Sequence, residues 1–495
     1  SGLPEAGLPA QTAGQESPAL RVVRRGSGSA MRILLIAPSS GYWRGLGKKR
    51  LFNGKTFRFS MLSLLSVAAL TPDTHDVRLI DEQIEDIPWD EHFDLAGITV
   101  MTATAPRAYE LCRQFRQRRI PVVLGGFHPT FNIEEAGLHA DAVVAGPAGQ
   151  AWPEVLKDVE AGTLKPLYRG NPDVEVPATL PRHLLNKSRY VSVNTCYATL
   201  GCRNECSFCS ITAFYKGKRY QRDVDTIVQH LRSFDETFFM FIDDNLTQDR
   251  EYAIRLFKAI APLGKKWATQ ASIEIADDPE LLEWMRRAGC VGVFVGLESF
   301  SQAALCSQNK TIKLPQYYED AVAAIHRQGM VVEAGLIFGF DTDPREIFES
   351  TLAILDDMEI DAMQASILTP LPGTRLFERM RHRIVDFNWE HYDYKRAVFE
   401  PAQMSRQDLE AGLEWINKRF YSPRRIIGRL LRWLRMPSGL RNFYIPLALN
   451  VAYWERQFQF KVKGYNPARR RDDRPPHDGL SRRRSPRPDR ATDSA

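Results

Sequence analysis

Cys202-Arg-Asn-Glu-Cys206-Ser-Phe-Cys209 sets three thiols at C-x3-C-x2-C spacing, with an aromatic ring, Phe208, just before the third. An apolar, strand-like run from Tyr190 to Thr195 precedes it. Thiolates are the protein ligands of iron–sulfur clusters. Three cysteines on one tight loop hold three irons of a four-iron cube and leave the fourth open. An open coordination position marks a reactive metal site rather than a structural one. Zinc is the competing reading, but zinc takes four ligands, often from two paired knuckles. Cys196 lies six residues upstream and no C-x2-C or H-x3-H partner follows. The spacing therefore offers Cys202, Cys206 and Cys209 as metal ligands suited to a [4Fe–4S] cluster, against the bland readings of a zinc knuckle or scattered buried thiols.

Working downstream, strand and helix patterns alternate. Strand-like runs fall at 191–195, 237–242, 267–275, 291–295, 331–338 and 363–368. Helical periodicity falls between them, at 224–234, 250–261, 279–287, 314–327 and 344–358. Six such units predict a partial (β/α)6 barrel. Parallel barrels carry their chemistry at the carboxyl ends of strands, where the cysteine loop falls. Other expected strand ends carry Asp243-Asp244-Asn245, Gly296-Leu-Glu298-Ser299, Gly335-Leu-Ile-Phe-Gly339 and Thr369-Pro-Leu-Pro-Gly-Thr374. Acidic residues there also serve as helix caps. Gln270, Ser272 and Glu274 are placed on the third strand, ranked below Glu298.

Working upstream, short buried strands at 32–37, 77–80, 95–100, 122–124 and 141–144 alternate with helical patterns at 61–70, 105–119 and 151–160. That order predicts an α/β, doubly wound parallel sheet, Rossmann-like. Such sheets bind ligands beyond the carboxyl ends of their strands. The candidate loops are 38–43, 101–107, 125–130 and 146–152. Paired glycines, Gly125 and Gly126, allow close backbone approach. The hydroxyls of Thr102 and Thr104 suit polar ligand contacts. His128 is read either as a ligand contact or as a turn histidine satisfied by backbone. The implied divisions are 1–30 disordered, 31–165 sheet domain, 166–189 linker, 190–380 barrel, 381–466 cap and helices, and 467–495 disordered basic tail.

The chain has 495 residues, 44% hydrophobic and 25% charged, which suits several globular domains. Seven cysteines, three of them on one loop, fit a reducing cytoplasm better than a disulfide framework. Residues 1–30 lack a signal-peptide apolar core, and no run is long enough to span a membrane. Residues 424–495 hold 18 Lys and Arg against 6 Asp and Glu, while the chain as a whole is only +6. An acidic body with a basic tail argues against a nucleic-acid partner. The run 424–435 alternates Arg with Ile, Leu and Trp at helical spacing. It reads equally as a peripheral membrane helix or as a docked helix with Arg on the wet face.

The C-x3-C-x-aromatic-C loop after a strand resembles the signature of the radical SAM superfamily. The upstream half, through Thr99–Arg107 and Gly125–Thr130, resembles the cobalamin-binding domain of one large branch, which includes hopanoid methylases and related natural-product methylases. The Asp-x-His-x-x-Gly element of other cobalamin proteins is absent, and Gly146-Pro-Ala-Gly149 stands where a Gly-Glu-type turn is usual. The resemblance implies a [4Fe–4S] cluster, S-adenosylmethionine bound at its open iron, and cobalamin. By it, Asp243, Asp244 and Asn245 receive the S-adenosylmethionine amino group, Glu298 its ribose, and Gly335 and Gly339 its adenine. Phe208 belongs to the cofactor loop. The implied reaction forms a 5′-deoxyadenosyl radical and methylates an unactivated carbon of a lipid or other hydrophobic small molecule, with electrons from an external flavodoxin- or ferredoxin-like donor. Cobalamin-independent cyclisation, rearrangement or coupling over a vestigial sheet is one alternative, and a non-catalytic metal-binding adaptor is another.

Overall fold

The computed structural model describes residues 30–41, 56–59, 61–171, 180–308, 315–435 and 442–457. The two segments read as disordered tails lie outside these residues, apart from residue 30.

The run Arg-Ile-Leu-Leu-Ile-Ala forms β1 (Arg32–Ala37), buried after its first residue. A continuous apolar run suits a parallel strand covered on both faces. Alternate side chains point to opposite faces: Ile33 and Leu35 pack with Trp152 on one side, Leu34 and Ile36 with Phe115 on the other. β2 (Thr56–Phe59) stands outside this sheet. β3 (Asp76–Asp81), β4 (Leu95–Thr99), β5 (Val122–Gly125), β6 (Ala142–Ala145) and β7 (Leu167–Arg169) complete it in the order β3-β1-β4-β5-β6-β7. Every pairing is parallel. Strand order reverses between β1 and β4, so the crevice lies beyond their carboxyl ends. β7 arises in the stretch read as a linker. Three residues behind Pro166 are too few to show a period.

β8 (Tyr190–Ser192) pairs with β2, and only β9 (Thr195–Cys196) enters the barrel sheet. The single strand expected over 191–195 is therefore broken. The Ser192 hydroxyl accepts from Asn194 N at 3.1 Å, a local side-chain bond that turns the chain. β10 (Thr199–Leu200) and β11 (Tyr220–Gln221) pair antiparallel and close the base of the cysteine segment. β12 (Phe238–Phe241), β13 (Lys266–Ala271), β14 (Cys290–Glu298), β15 (Val331–Phe338) and β16 (Ala362–Ile367) follow. The sheet order β9-β12-β13-β14-β15-β16 gives six parallel strands, a partial barrel. The third strand stops at Ala271, and Glu274 falls on a 3-10 turn, Ile273–Asp277, instead of the strand.

The open edge of β16 is covered. The Tyr421 hydroxyl donates to Met363 O at 2.7 Å and accepts from Met363 N at 2.8 Å. Lys395 Nζ donates to Ala365 O at 3.0 Å, and Ile367 N donates to Tyr394 O at 2.8 Å. Helix Arg406–Phe420 lies against helix Ile347–Asp357 through Gly412, where a Cβ would meet the Phe348 ring at 2.0 Å. Gly412→Ala gains about 1 kcal/mol of helix propensity, yet overpacking costs about 1–3 kcal/mol. A net loss is expected, read as a lower denaturant midpoint at unchanged slope. Among the described residues no helix is long and apolar enough to cross a membrane.

Candidate active site

The cysteine loop starts at Gly201, whose φ is +78° and whose Cβ would lie 2.2 Å from Lys218 O, so only glycine fits there. Gly201 N donates to Asp244 Oδ2 at 2.8 Å. Asp243, 1% exposed, accepts from Ala198 N at 3.1 Å, Thr199 N at 2.5 Å and Thr199 Oγ1 at 2.7 Å. Gln248 Oε1 accepts from Arg203 N at 2.9 Å. Ser207 N donates to Gln308 O at 3.2 Å, its hydroxyl donates to Gln308 Oε1 at 2.5 Å, and its carbonyl accepts from Leu376 N at 2.9 Å. Arg379 donates to the same Gln308 Oε1 at 2.9 Å. The loops after β12, β14 and β16 thus pin the loop after β9. Gln248, Gln308 and Arg379 were missed in the sequence. Gln248 follows a strand end and carried that signal; the other two are brought in only by the barrel.

Cys202 is buried, and Cys206 and Cys209 are half-buried. Among the described residues no group of three His, Cys, Asp or Glu side chains stands gathered as a metal site, so the thiols share a loop without converging. The donor set nevertheless fits an iron–sulfur cluster. It offers three thiols on one loop, and Asn204 N and Gln248 Nε2 approach Cys202 Sγ at 3.4 and 3.6 Å. Such donors favour a thiolate. Burial pushes the Cys202 thiol up, an opposition that bound cationic metal reverses.

The remaining strand-end residues divide. Asp243 spends its oxygens on backbone and hydroxyl donors of the chain, so it is a loop anchor rather than an open acceptor; burial pushes it up to about 7, and Asp244 to about 6. Asn245 Nδ2 donates to Ser272 Oγ at 2.8 Å. Glu298 ends β14 at a bulge against β15, with φ +63°. A bulky residue held there is uncommon, and such backbone clusters at functional sites. Gly335 makes room for the protein itself: a Cβ would meet Phe294 Cζ at 2.6 Å. Gly339, φ +102°, similarly admits Leu409, 2.8 Å from a built Cβ. Phe208 packs partly buried on the barrel core.

In the sheet domain, Thr102 is buried. The Thr104 hydroxyl donates to Met101 O at 3.0 Å and accepts from Met101 N at 3.1 Å, capping its own turn. Gly126, φ +103°, lets its loop touch the neighbouring one, since a Cβ would lie 2.9 Å from Val100 N and O. Gly125 ends β5 in ordinary contact with Val144. His128 is fully buried, its Nε2 3.0 Å from the Tyr109 hydroxyl and its Nδ1 3.3 Å from Asn132 Nδ2. Its ring is satisfied within the chain, by side chains where the second of its two readings had backbone, and it turns no ring nitrogen to an open face. Trp389, from the aromatic cap, stacks edge-on to it at 5.3 Å and donates to Glu135 at 2.9 Å.

The two halves meet where loops leave the carboxyl ends of their strands. Phe127 and Phe131, after β5, pack on Phe214 at 4.7 and 6.3 Å between centroids. Phe214 lies on helix Ser210–Tyr215, which begins right after Cys209. Gly373, φ +80°, sits so close to Phe131 that a Cβ would lie 2.1 Å from its ring. A cavity of about 260 Å³ opens here, lined by Cys206, Cys209, Thr212, Lys216, Gly373 and Arg375.

Comparison with known proteins agrees with both halves. Residues 197–355 match the radical SAM superfamily and residues 57–156 the B12 binding domain. The chain is 30% identical to bacteriochlorophyllide d C-12(1)-methyltransferase of Chlorobaculum tepidum, over 77% of this chain and 88% of that one. It is 26% identical to hopanoid C-2 methylase of Rhodopseudomonas palustris, over 64% and 63%. The fold is shared with the cobalamin-dependent S-adenosylmethionine radical enzyme OxsB, bound to aqua-cobalamin and S-adenosylmethionine, at TM-score 0.56, 14% identity and coverage of 86% and 72%. The cofactors that go with these two domains are a [4Fe–4S] cluster, S-adenosylmethionine and cobalamin. The chain belongs to the radical SAM superfamily, as an enzyme of the branch that carries a B12-binding domain ahead of the barrel.

Proposed function

We propose that this enzyme transfers a methyl group to an unactivated carbon of a hydrophobic natural product, a lipid or a comparably large apolar ring system. The observation that carries the reading is the contact of Phe127 and Phe131 with Phe214. It sets the carboxyl end of the B12-type sheet against the helix that leaves the cysteine loop. A structural platform needs no such juxtaposition, whereas methyl transfer between two cofactor sites does. The two relatives are named for a bacteriochlorophyllide and a hopanoid, which supports a natural product of that kind as substrate.

When bound, the three cofactors supply the electron, the radical and the methyl group. The chain holds and orients them. Cys202, Cys206 and Cys209 are the cluster ligands in this reading, and Asp243 and Gln248 fix their loop. Asp244, Asn245 and Glu298 face the S-adenosylmethionine side, with the turn at Gly339 behind it. Thr102, Thr104, Gly125 and Gly126 border the cobalamin crevice, and His128 stiffens it from within. A flavodoxin- or ferredoxin-like protein delivers electrons.

The test is anaerobic. The cluster is reconstituted, hydroxocobalamin is added, excess is removed by gel filtration, and iron and cobalt are measured per chain. Retained cobalt beside iron is expected, followed by transfer of isotopic label from the S-adenosylmethionine methyl to a component of a lipid and pigment extract. Iron without cobalt would overturn methyl transfer in favour of cobalamin-independent cyclisation or coupling.

A further inference from the structure

Helix Pro423–Arg435 buries cations and leaves apolar side chains outside. Its inner face carries Arg429 and Trp433 beside the partly buried Ile426 and is fastened to the body. Arg429 is buried over the Phe420 ring at 4.1 Å and donates to Asn450 Oδ1 at 2.7 Å and Phe420 O at 3.0 Å. Trp433 is fully buried, and its indole donates to Asp361 Oδ1 at 2.6 Å. Arg432 also reaches Asp361, and Arg425 reaches Asp356 at 2.8 Å. The outer face carries Ile427, Leu431 and Leu434, 56%, 49% and 43% exposed. Exposed Arg424 and Arg435 bracket them. Of the two readings of this run, the docked one put Arg on the wet face; the helix is docked, but Arg429 and Arg432 turn inward.

Eleven large hydrophobic side chains are exposed among the described residues. Five of them belong to this helix and to helix Tyr444–Gln457, which adds Tyr444 and Leu447. Single exposed apolar residues need no explanation, but a concentrated set marks an interaction surface. Residues 423–457 hold seven Arg and one acidic residue, Glu455.

We infer that this face docks the enzyme on an anionic lipid surface, with Ile427, Leu431 and Leu434 entering the headgroup boundary and Arg424 and Arg435 meeting lipid phosphates. Apolar residues flanked by cations on a helix that does not span are the makings of an interfacial helix. Charge decides against a second copy of the chain: a two-fold contact through this face would set Arg against Arg. The inference is independent of which group the enzyme transfers.

The experiment is sedimentation of the full-length, cluster-loaded protein with vesicles of phosphatidylcholine, with or without phosphatidylglycerol. Binding to the mixed vesicles at low ionic strength, and little to phosphatidylcholine alone, is expected. The triple variant Ile427→Ser, Leu431→Ser, Leu434→Ser keeps the wild-type unfolding midpoint and binds about 30-fold more weakly, from the apolar area no longer buried. Arg424→Glu with Arg435→Glu loses at least about fivefold per residue and the preference for phosphatidylglycerol. Failure of the wild type to sediment with mixed vesicles would overturn the inference, as would a serine variant that sediments like wild type. A vesicle-indifferent dimer that the serine variant turns into monomer would overturn it in favour of self-association.

Discussion

Cys206→Ala abolishes S-adenosylmethionine cleavage and removes most of the iron retained after reconstitution, while the far-ultraviolet spectrum and the unfolding midpoint stay close to wild type. The buried cysteines do not substitute for Cys206. Cys112, Cys196 and Cys290 are buried, and burial pushes each thiol up to about 12, so they stay protonated and inert. Cys196 Sγ is also taken up 3.6 Å from His230 Nδ1. Cys306 is exposed, on helix Gln302–Ser307. The loop survives because its anchors are Asp243, Asp244, Gln248 and Gln308, not its sulfurs. Cys202→Ala has the same effect on iron, with added cost from truncating a buried side chain. Iron per chain and 5′-deoxyadenosine formation are the measurements. A Cys206 variant with wild-type values of both would remove this thiol from the ligand set. Zinc in place of iron in the purified wild type would instead revive the adaptor reading.

The architecture was legible because its signals are local. A strand such as Val331–Phe338 is a largely apolar run interrupted by Glu333, and its bounds are those the sequence predicts; Pro279–Arg287 opens with Asp278, whose side chain accepts from Leu281 N at 3.0 Å, and its bounds agree too. Three cysteines on one loop need no tertiary information. What the sequence leaves open depends on who arrives from far away. Gly335 and Gly339 stand in a pattern that suggests room for adenine, yet Phe294 and Leu409 fill the space beside them. Nothing near residue 335 in the chain foretells Phe294. His128 offered two local readings, and of its partners Asn132 is four residues on, while Tyr109 comes from helix Ala105–Gln117. The basic C-terminal helix shows the same limit: periodicity separates its two faces, but only the buried Asp361 and Asn450 decide which one points inward.

Asp243→Ala is expected to be strongly damaging, and to act through the fold before it acts on a ligand. The side chain is 1% exposed and accepts three different donors: Ala198 N, Thr199 N and Thr199 Oγ1. Removing it strands those donors without water. Each unsatisfied buried donor costs about 1–3 kcal/mol, so the three together cost about 3–9 kcal/mol, against a stability of about 5–15 kcal/mol for a typical protein. Ala198 and Thr199 lie just before Gly201, where the cysteine loop begins, so iron retention falls as well, even at temperatures where the barrel stays folded. Asp243→Asn keeps one acceptor oxygen but turns an amide toward donors, and falls between wild type and alanine. Asp244→Ala loses one bond, from Gly201 N at 2.8 Å, and costs about 1–2 kcal/mol. Denaturant unfolding of the metal-free chain separates this role from the one the strand-end position first suggests. A direct hold on the S-adenosylmethionine ammonium predicts weaker cofactor binding at unchanged stability. If Asp243→Ala unfolds at the wild-type midpoint, keeps its iron and binds S-adenosylmethionine poorly, the carboxylate faces the cofactor and the anchoring bonds are incidental. If the midpoint and the iron fall together, Asp243 works by fixing the turn on which the three thiols are presented.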